Sequence, residues 1–344
     1  MPVRGRIRLP KLRSSVANLA LVAATCAVIA VLFELGVRVF EPQPANRYRF
    51  SPVSFYEPMP GARFVYRRQE FSVAIEYNAL GMRDRERRIE RSSPDVWRIA
   101  LIGDSQVEAK EVPFDSTFGQ RLERAMQQAL PSRPVEVLNF GVSGYGTVAT
   151  RARYEHLGLR FRPDVVVYLF MENDPDDNLG RDALLYEDRG DSLIYRQIHG
   201  GRIPLSRRLL DHVKHHSQGY AFLKFRLQEI RSRTKSEGAP QEIESGNTGW
   251  RVTALALRDL RDRVLGHGGQ LAVVQAGTRG PDMSARLRAL CSDLGIRYLD
   301  LAPALQACPE RVHFQYDGHW RSAGHRAAAG AILPFLQASM RERE

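Results

Sequence analysis

Five short apolar runs decide what this chain can fold into. They are Arg98 to Ile102, Val135 to Phe140, Val165 to Phe170, Leu271 to Gln275 and Arg297 to Leu301. Each has the length of a buried strand, and the β-branched residues among them favour that conformation. Segments with helical spacing lie between them, at about Thr117 to Leu130, Thr147 to Leu157, Arg251 to Leu265 and Ser284 to Leu294. A last helix over about Ala323 to Leu336 is predicted to kink at Pro334. Thr117 with Gln120 predicts a capping box, and Gly158 a helix stop. Buried strands alternating with helices predict an α/β fold, a parallel sheet covered on both faces. Residues 179–250 break the rhythm. They offer a hairpin near Ser192 to Tyr195, a helix over Ser206 to Arg233 and a polar stretch from Ser236 to Thr248. They read as an insertion between two strands, of the kind that shapes access to a site, and not as a second domain.

A different signal precedes the repeat. Val16 to Phe33 is apolar at all positions except Asn18 and Thr25, and as a helix its 18 residues would span ~27 Å, close to the hydrocarbon thickness. Arg4, Arg6, Arg8, Lys11 and Arg13 stand ahead of it. Basic residues stay on the cytoplasmic side, so everything after the helix is expected outside the cytoplasm. The run is long for the core of a cleaved signal peptide and no small-residue cleavage site follows it, which favours an uncleaved anchor. The chain then divides into a basic tail (1–14), a transmembrane signal-anchor helix (15–40), a linker and lead-in segment (41–94) and a catalytic domain (95–340) that includes the insertion. In the lead-in, Phe71 to Tyr77 has strand character and Asn78 to Gly81 has turn chemistry.

The formal charge of +11 raises the question of nucleic acid. The arginines are scattered, acids interrupt them as in Arg85 to Arg88, and no basic-aromatic module appears, so a nucleic-acid partner is not expected. Cys26 lies within the apolar run. Cys291 and Cys308 are either a disulfide or two thiols. No CxxC or HExxH spacing occurs, and neither a metal nor a cofactor is expected.

The chemistry-bearing residues follow the ends of the apolar runs. Gly103-Asp104-Ser105 follows the first, Asn139 to Gly146 with its glycines at 141, 144 and 146 the second, and Met171-Glu172-Asn173-Asp174 the third. Asp317-Gly318-His319 stands just before the last helix. The carboxyl edge of a parallel sheet is where such folds gather ligands, so these four stations are expected at one place. A serine hydroxyl needs a base to take its proton, which His319 can do while Asp317 holds its tautomer. The oxyanion of a tetrahedral intermediate needs preorganised donors, and the N–H groups of Ser105 and Gly144 with the Asn173 amide are the candidates.

On these blocks the chain resembles the SGNH/GDSL hydrolase family over about residues 95–335, and looks closest to membrane-anchored bacterial members with a lead-in like Tyr77 to Asp84. The resemblance implies a flavodoxin-like three-layer fold and a serine esterase acting on acyl esters, often acetyl on carbohydrate. It places the chain in a bacterial inner membrane with the catalytic domain in the periplasm. Two positions depart from the family pattern. Met171 stands where the asparagine block usually has glycine, and Asp317-x-His319 is one residue shorter than the common D-x-x-H. The short spacing is also similar to that of domains that acetylate exported polysaccharides. Acyl transfer therefore remains an alternative to hydrolysis, and a non-catalytic glycan-binding role on the same scaffold is a third reading.

Overall fold

The computed structural model describes residues 11–41, 47–202, 204–235, 245–277 and 281–341. Arg4, Arg6 and Arg8 of the basic tail and residues 236–244 of the polar stretch lie outside them. The chain forms two compact units, residues 1–46 with 212–238, and residues 47–211 with 239–344. The stretch read as one insertion is thus divided between them.

The first unit holds helix α1 (Lys11–Phe40). Its portion Ala17–Phe40 has a mean hydropathy of 2.4 and is almost wholly exposed, so it is long and apolar enough to cross a membrane. Its Glu34 carboxylate accepts the N–H groups of Gln218 and Gly219, each at 2.9 Å, and the Ser217 hydroxyl at 2.8 Å.

The second unit opens with two antiparallel pairs. Strand β1 (Tyr48–Ser51) pairs with β2 (Phe55–Pro58), and β3 (Arg63–Arg67) with β4 (Ser72–Glu76). The chain then lays down β5 (Trp97–Gly103), the short α2 (Ser105–Glu108), α3 (Phe118–Ala129), β6 (Val135–Asn139), α4 (Thr147–His156), β7 (Val165–Phe170) and α5 (Asp174–Leu179). A small hairpin of β8 (Tyr186–Asp188) and β9 (Leu193–Tyr195) follows, as the sequence predicts. The predicted helix over Ser206 to Arg233 is instead two helices, α6 (Leu205–His216) and α7 (Gln218–Lys235). Ser217 breaks it, because its hydroxyl caps the Tyr220 N–H at 2.9 Å while Glu34 takes the next donors. The chain closes with α8 (Ser245–Gly266), β10 (Gln270–Gln275), α9 (Pro281–Asp293), β11 (Arg297–Asp300), α10 (Ala302–Gln306) and α11 (Ser322–Arg341).

All five apolar runs are strands of one parallel sheet, ordered β11-β10-β7-β5-β6. Counted along the chain this is the 2-1-3-4-5 order of flavodoxin-like folds. Side chains alternate between its faces. Ile99, Leu101, Val137 and Val167 pack with Phe118, Leu122 and Met126 of α3 and with Ile332 and Leu336 of α11. Ala100, Ile102, Val166 and Tyr168 pack on the other side with Tyr154 of α4, Leu257 and Leu260 of α8, and Leu287 of α9. The α/β three-layer sandwich with a parallel sheet is therefore present, preceded by one long apolar helix. Each fully buried aliphatic side chain contributes about 1.5–3 kcal/mol to these layers.

Two local predictions fail for tertiary reasons. Gln120 donates its backbone N–H to the Thr117 hydroxyl at 3.3 Å, but its side chain accepts from Arg85 instead of closing the capping box. Gly158 is not a left-handed helix stop: α4 ends at His156, Leu157 is its C-cap, and a 3-10 turn follows over Gly158–Phe161. The glycine is needed for packing, since a Cβ there would lie 2.6 Å from the Tyr154 ring. Cys291 and Cys308 are both free, the first buried, and burial pushes the Cys291 thiol up to about 12.

Candidate active site

The order of the sheet reverses at β5. After β5 the chain adds β6 on one side, then crosses to add β7 on the other. In open α/β sheets ligands settle at this switch point, beyond the carboxyl ends of the strands. The chain leaves β5 through Gly103, and Asp104 turns it by accepting the Gln106 N–H at 3.0 Å. Ser105 follows as the first residue of α2, partly exposed.

Ser105, His319 and Asp317 come together, 214 residues apart in the case of the first two. The Ser105 Oγ lies 2.8 Å from His319 Nε2, and His319 Nδ1 is hydrogen-bonded to Asp317 Oδ1. The short Asp317–His319 spacing is accommodated by Gly318, whose φ of +79° is left-handed. That turn folds the imidazole back onto the carboxylate two residues earlier. A residue with a side chain adopts this conformation only at a cost, which explains the glycine. Burial pushes Asp317 up, but the hydrogen bond and charge of His319 outweigh it and hold the carboxyl below its ordinary value. Burial likewise pulls His319 down, and the Asp317 hydrogen bond with the charges of Glu111, Asp317 and Asp104 reverses this, leaving the imidazole above its ordinary value. The arrangement is a base oriented by a carboxylate and in contact with a hydroxyl. A second histidine of this region, His325, is buried; it accepts the Phe118 N–H and stacks on the Phe118 ring, and burial pulls it down to about 3. It is a core residue.

The two further oxyanion candidates lie at neighbouring strand ends, without a hydrogen bond to the triad. Gly144 has φ +77° in the loop after β6. Gly141 in the same loop passes against the nucleophile segment, where a Cβ would sit 2.5 Å from the Glu108 backbone nitrogen. Asn173 precedes α5, and its amide donates to Asp177 Oδ2 at 2.6 Å, which leaves its second hydrogen available. Met171 packs against the core layer of α3 and α11, and its N–H donates to buried Asp174 at 3.0 Å.

Sequence reasoning missed the polar groups that hold these stations. Glu108, three residues after Ser105, is fully buried and gathers the Tyr48 hydroxyl at 2.6 Å, the Tyr77 hydroxyl at 2.5 Å and the Ser143 N–H at 2.7 Å. It thereby ties the nucleophile segment to the glycine loop and to the lead-in. Arg83, also buried, donates to the carbonyls of Glu108 at 3.0 Å and Val112 at 2.6 Å. The Tyr56 hydroxyl donates to the Ser143 carbonyl at 2.5 Å. On the other side of the site, exposed Glu70 accepts the N–H groups of Gln315 at 2.8 Å and Tyr316 at 2.7 Å, the two residues before Asp317. The Phe71 ring packs at a tilt against Phe314, centroids 5.0 Å apart. The only local signal for any of these was the spacing of the two acids, Glu108 and Glu111, behind Ser105.

Glu111 Oε1 lies 3.8 Å from His319 Nδ1. Glu111, Asp317 and His319 bring their polar atoms within 4.8 Å of one another. Both ring nitrogens of His319 already face partners, Asp317 and Ser105, so the trio offers no free ring nitrogen to an ion.

No protein-family model and no curated protein sequence matches the chain. Among solved structures, TesA is similar over 70% of this chain and 98% of its own, at 14% identity and a TM-score of 0.42. Axe2, an acetylxylan esterase from Geobacillus stearothermophilus, is similar over 69% of this chain and 93% of its own, at 13% identity and a TM-score of 0.40. The acetyl xylan esterase AlAXEase is similar over 68% and 97%, at 11% identity and a TM-score of 0.40. The chemistry read for this site rests on its own geometry.

Proposed function

We propose that this chain is a serine esterase of the SGNH type that hydrolyses acyl esters, acetyl in the first place, on a carbohydrate or other envelope substrate. The observation that carries the reading is the line of contacts from Ser105 Oγ through His319 to Asp317. Ser105 attacks the ester carbonyl and His319 Nε2 takes its proton. The N–H groups of Ser105 and Gly144 with the Asn173 amide bind the oxyanion. The imidazolium, steadied by Asp317, then protonates the leaving alkoxide. Water, activated by the same imidazole, releases the acyl group and regenerates Ser105. The apolar helix Ala17–Phe40 and the basic residues ahead of it support a single-pass anchor in a bacterial inner membrane, with the site in the periplasm.

The test is turnover of p-nitrophenyl acetate by the full chain in detergent, beside Ser105→Ala. Loss of the nucleophile is expected to cost about 10⁴- to 10⁶-fold in kcat. Equal turnover by the two proteins would remove the assignment. Labelling of Ser105 by a fluorophosphonate separates an active site from a purely binding one. An acyl group found by mass spectrometry on an added oligosaccharide would redirect the reading from hydrolysis to transfer, which uses the same triad with a sugar hydroxyl in place of water.

A further inference from the structure

We propose that Glu111 is a second carboxylate of the catalytic base, sharing with Asp317 the positioning of the His319 imidazole and the stabilisation of its cation. This rests on the triad reading above and extends it by a residue that no motif block contains.

The geometry is specific. Glu111 Oε1 stands 3.8 Å from the same ring nitrogen, Nδ1, that Asp317 engages. That distance is too long for a hydrogen bond and short for a charge pair. The Glu111 side chain is 2% exposed and that of Asp317 17%, so the two carboxylates approach Nδ1 in different surroundings. Asp317 comes from the base's own loop. Glu111 comes from the segment that carries Ser105, six residues after it, so one short stretch supplies the nucleophile and an acid for the base. A buried charge is costly to keep, and the cation that forms beside Glu111 when His319 is protonated offsets part of that cost.

The other charges around the pair have been placed. Asp317 and Asp104 act on His319 in the same sense as Glu111, while His313 and His325 lie within reach of its charge. Lys110, Arg83 and Tyr66 face Glu111, and Arg68 faces Asp317. Burial pushes the Glu111 carboxyl up, opposed by the positive charges of His319 and Lys110. Its proton affinity is therefore coupled to the state of the imidazole.

The test compares Glu111→Gln, Asp317→Ala and the double variant in the full chain. Glu111→Gln keeps the shape and removes the charge. Its acidic limb of kcat/KM is expected at lower pH than in the parent, with kcat down about tenfold. Asp317→Ala is expected to lose about 10²-fold, short of the about 10⁴-fold known for an unaided triad carboxylate, and the double variant to lose the full amount. The double loss would then exceed the product of the single ones. Glu111→Asp is expected to recover part of the limb's position. Carbon-labelled histidine NMR reads the His319 titration without any turnover, assigned with His319→Gln. An unmoved titration in Glu111→Gln, or losses that simply multiply, would overturn the role of Glu111 even with the esterase intact. A lowered titration in a protein that turns over no ester would uphold Glu111 and reject the esterase.

Discussion

Ser105 stands on the sheet, whereas His319 stands on a loop. The serine leaves the end of β5, whose seven residues are all buried, and its segment is locked from beneath by Glu108 and Arg83. The base arrives from the stretch 313–319, with its side chain 26% exposed, and is fixed by Glu70 and Phe71 of the β3–β4 hairpin. The Ser105 side is thus held by buried and partly buried polar contacts within the domain. The His319 side is held by contacts at the surface. Both sides depend on the lead-in, which is as much a part of the site as the sheet.

The largest effect that can break this comparison is expected from Glu108→Ala. It leaves the hydroxyls of Tyr48 and Tyr77 and the N–H of Ser143 without their acceptor, and should destabilise the domain by about 3–5 kcal/mol in urea unfolding. A mild loss would show that the nucleophile side is not held by this hub. Next in size is pH. In the proposed mechanism His319 accepts a proton only when neutral, and its raised affinity for a proton is expected to place the acidic limb of kcat/KM above the ordinary imidazole value. Two pH units below that limb, activity should be about 100-fold lower, while the folded state persists. Coincidence of the limb with unfolding would merge the two sides that the comparison separates.

Glu70→Ala comes third. It frees the residues before Asp317 and should lower kcat about tenfold with little change in KM or in Tm, since the near-attack geometry alone is loosened. A drop in Tm as large as that of Glu108→Ala would contradict the contrast. Gly318→Ala is the smallest and the most local. Nothing lies within 4 Å of the added methyl, so only the left-handed backbone is penalised, by about 1–2 kcal/mol. Activity should fall more than stability, which circular dichroism melting and p-nitrophenyl acetate kinetics together can read.

Much of the fold was legible because it is local in origin. The apolar runs from Trp97 to Asp300 became the sheet within a residue or two at each end, since strand burial is written into consecutive side chains. That Ser105 meets His319, and His319 meets Asp317, was legible through the rule that sites gather at strand ends, and Gly318 lay in plain view between Asp317 and His319. What escaped was polar and distant. Tyr77 meets Glu108 across 31 residues, Tyr48 meets it across 60, and Glu70 meets Gln315 across 245. Such pairs leave no periodicity in either partner's neighbourhood. The break at Ser217 escaped for the same reason, because Glu34, which takes the Gln218 and Gly219 N–H groups, lies 184 and 185 residues away from them.

The separation between serine and histidine also has a consequence in time. At the ~5–20 residues per second of chain synthesis, the 214 residues between Ser105 and His319 take roughly 10–40 s to make. Throughout that interval the Ser105 hydroxyl exists without its His319 partner. The contact between these two side chains therefore cannot form until at least that long after the serine has been made.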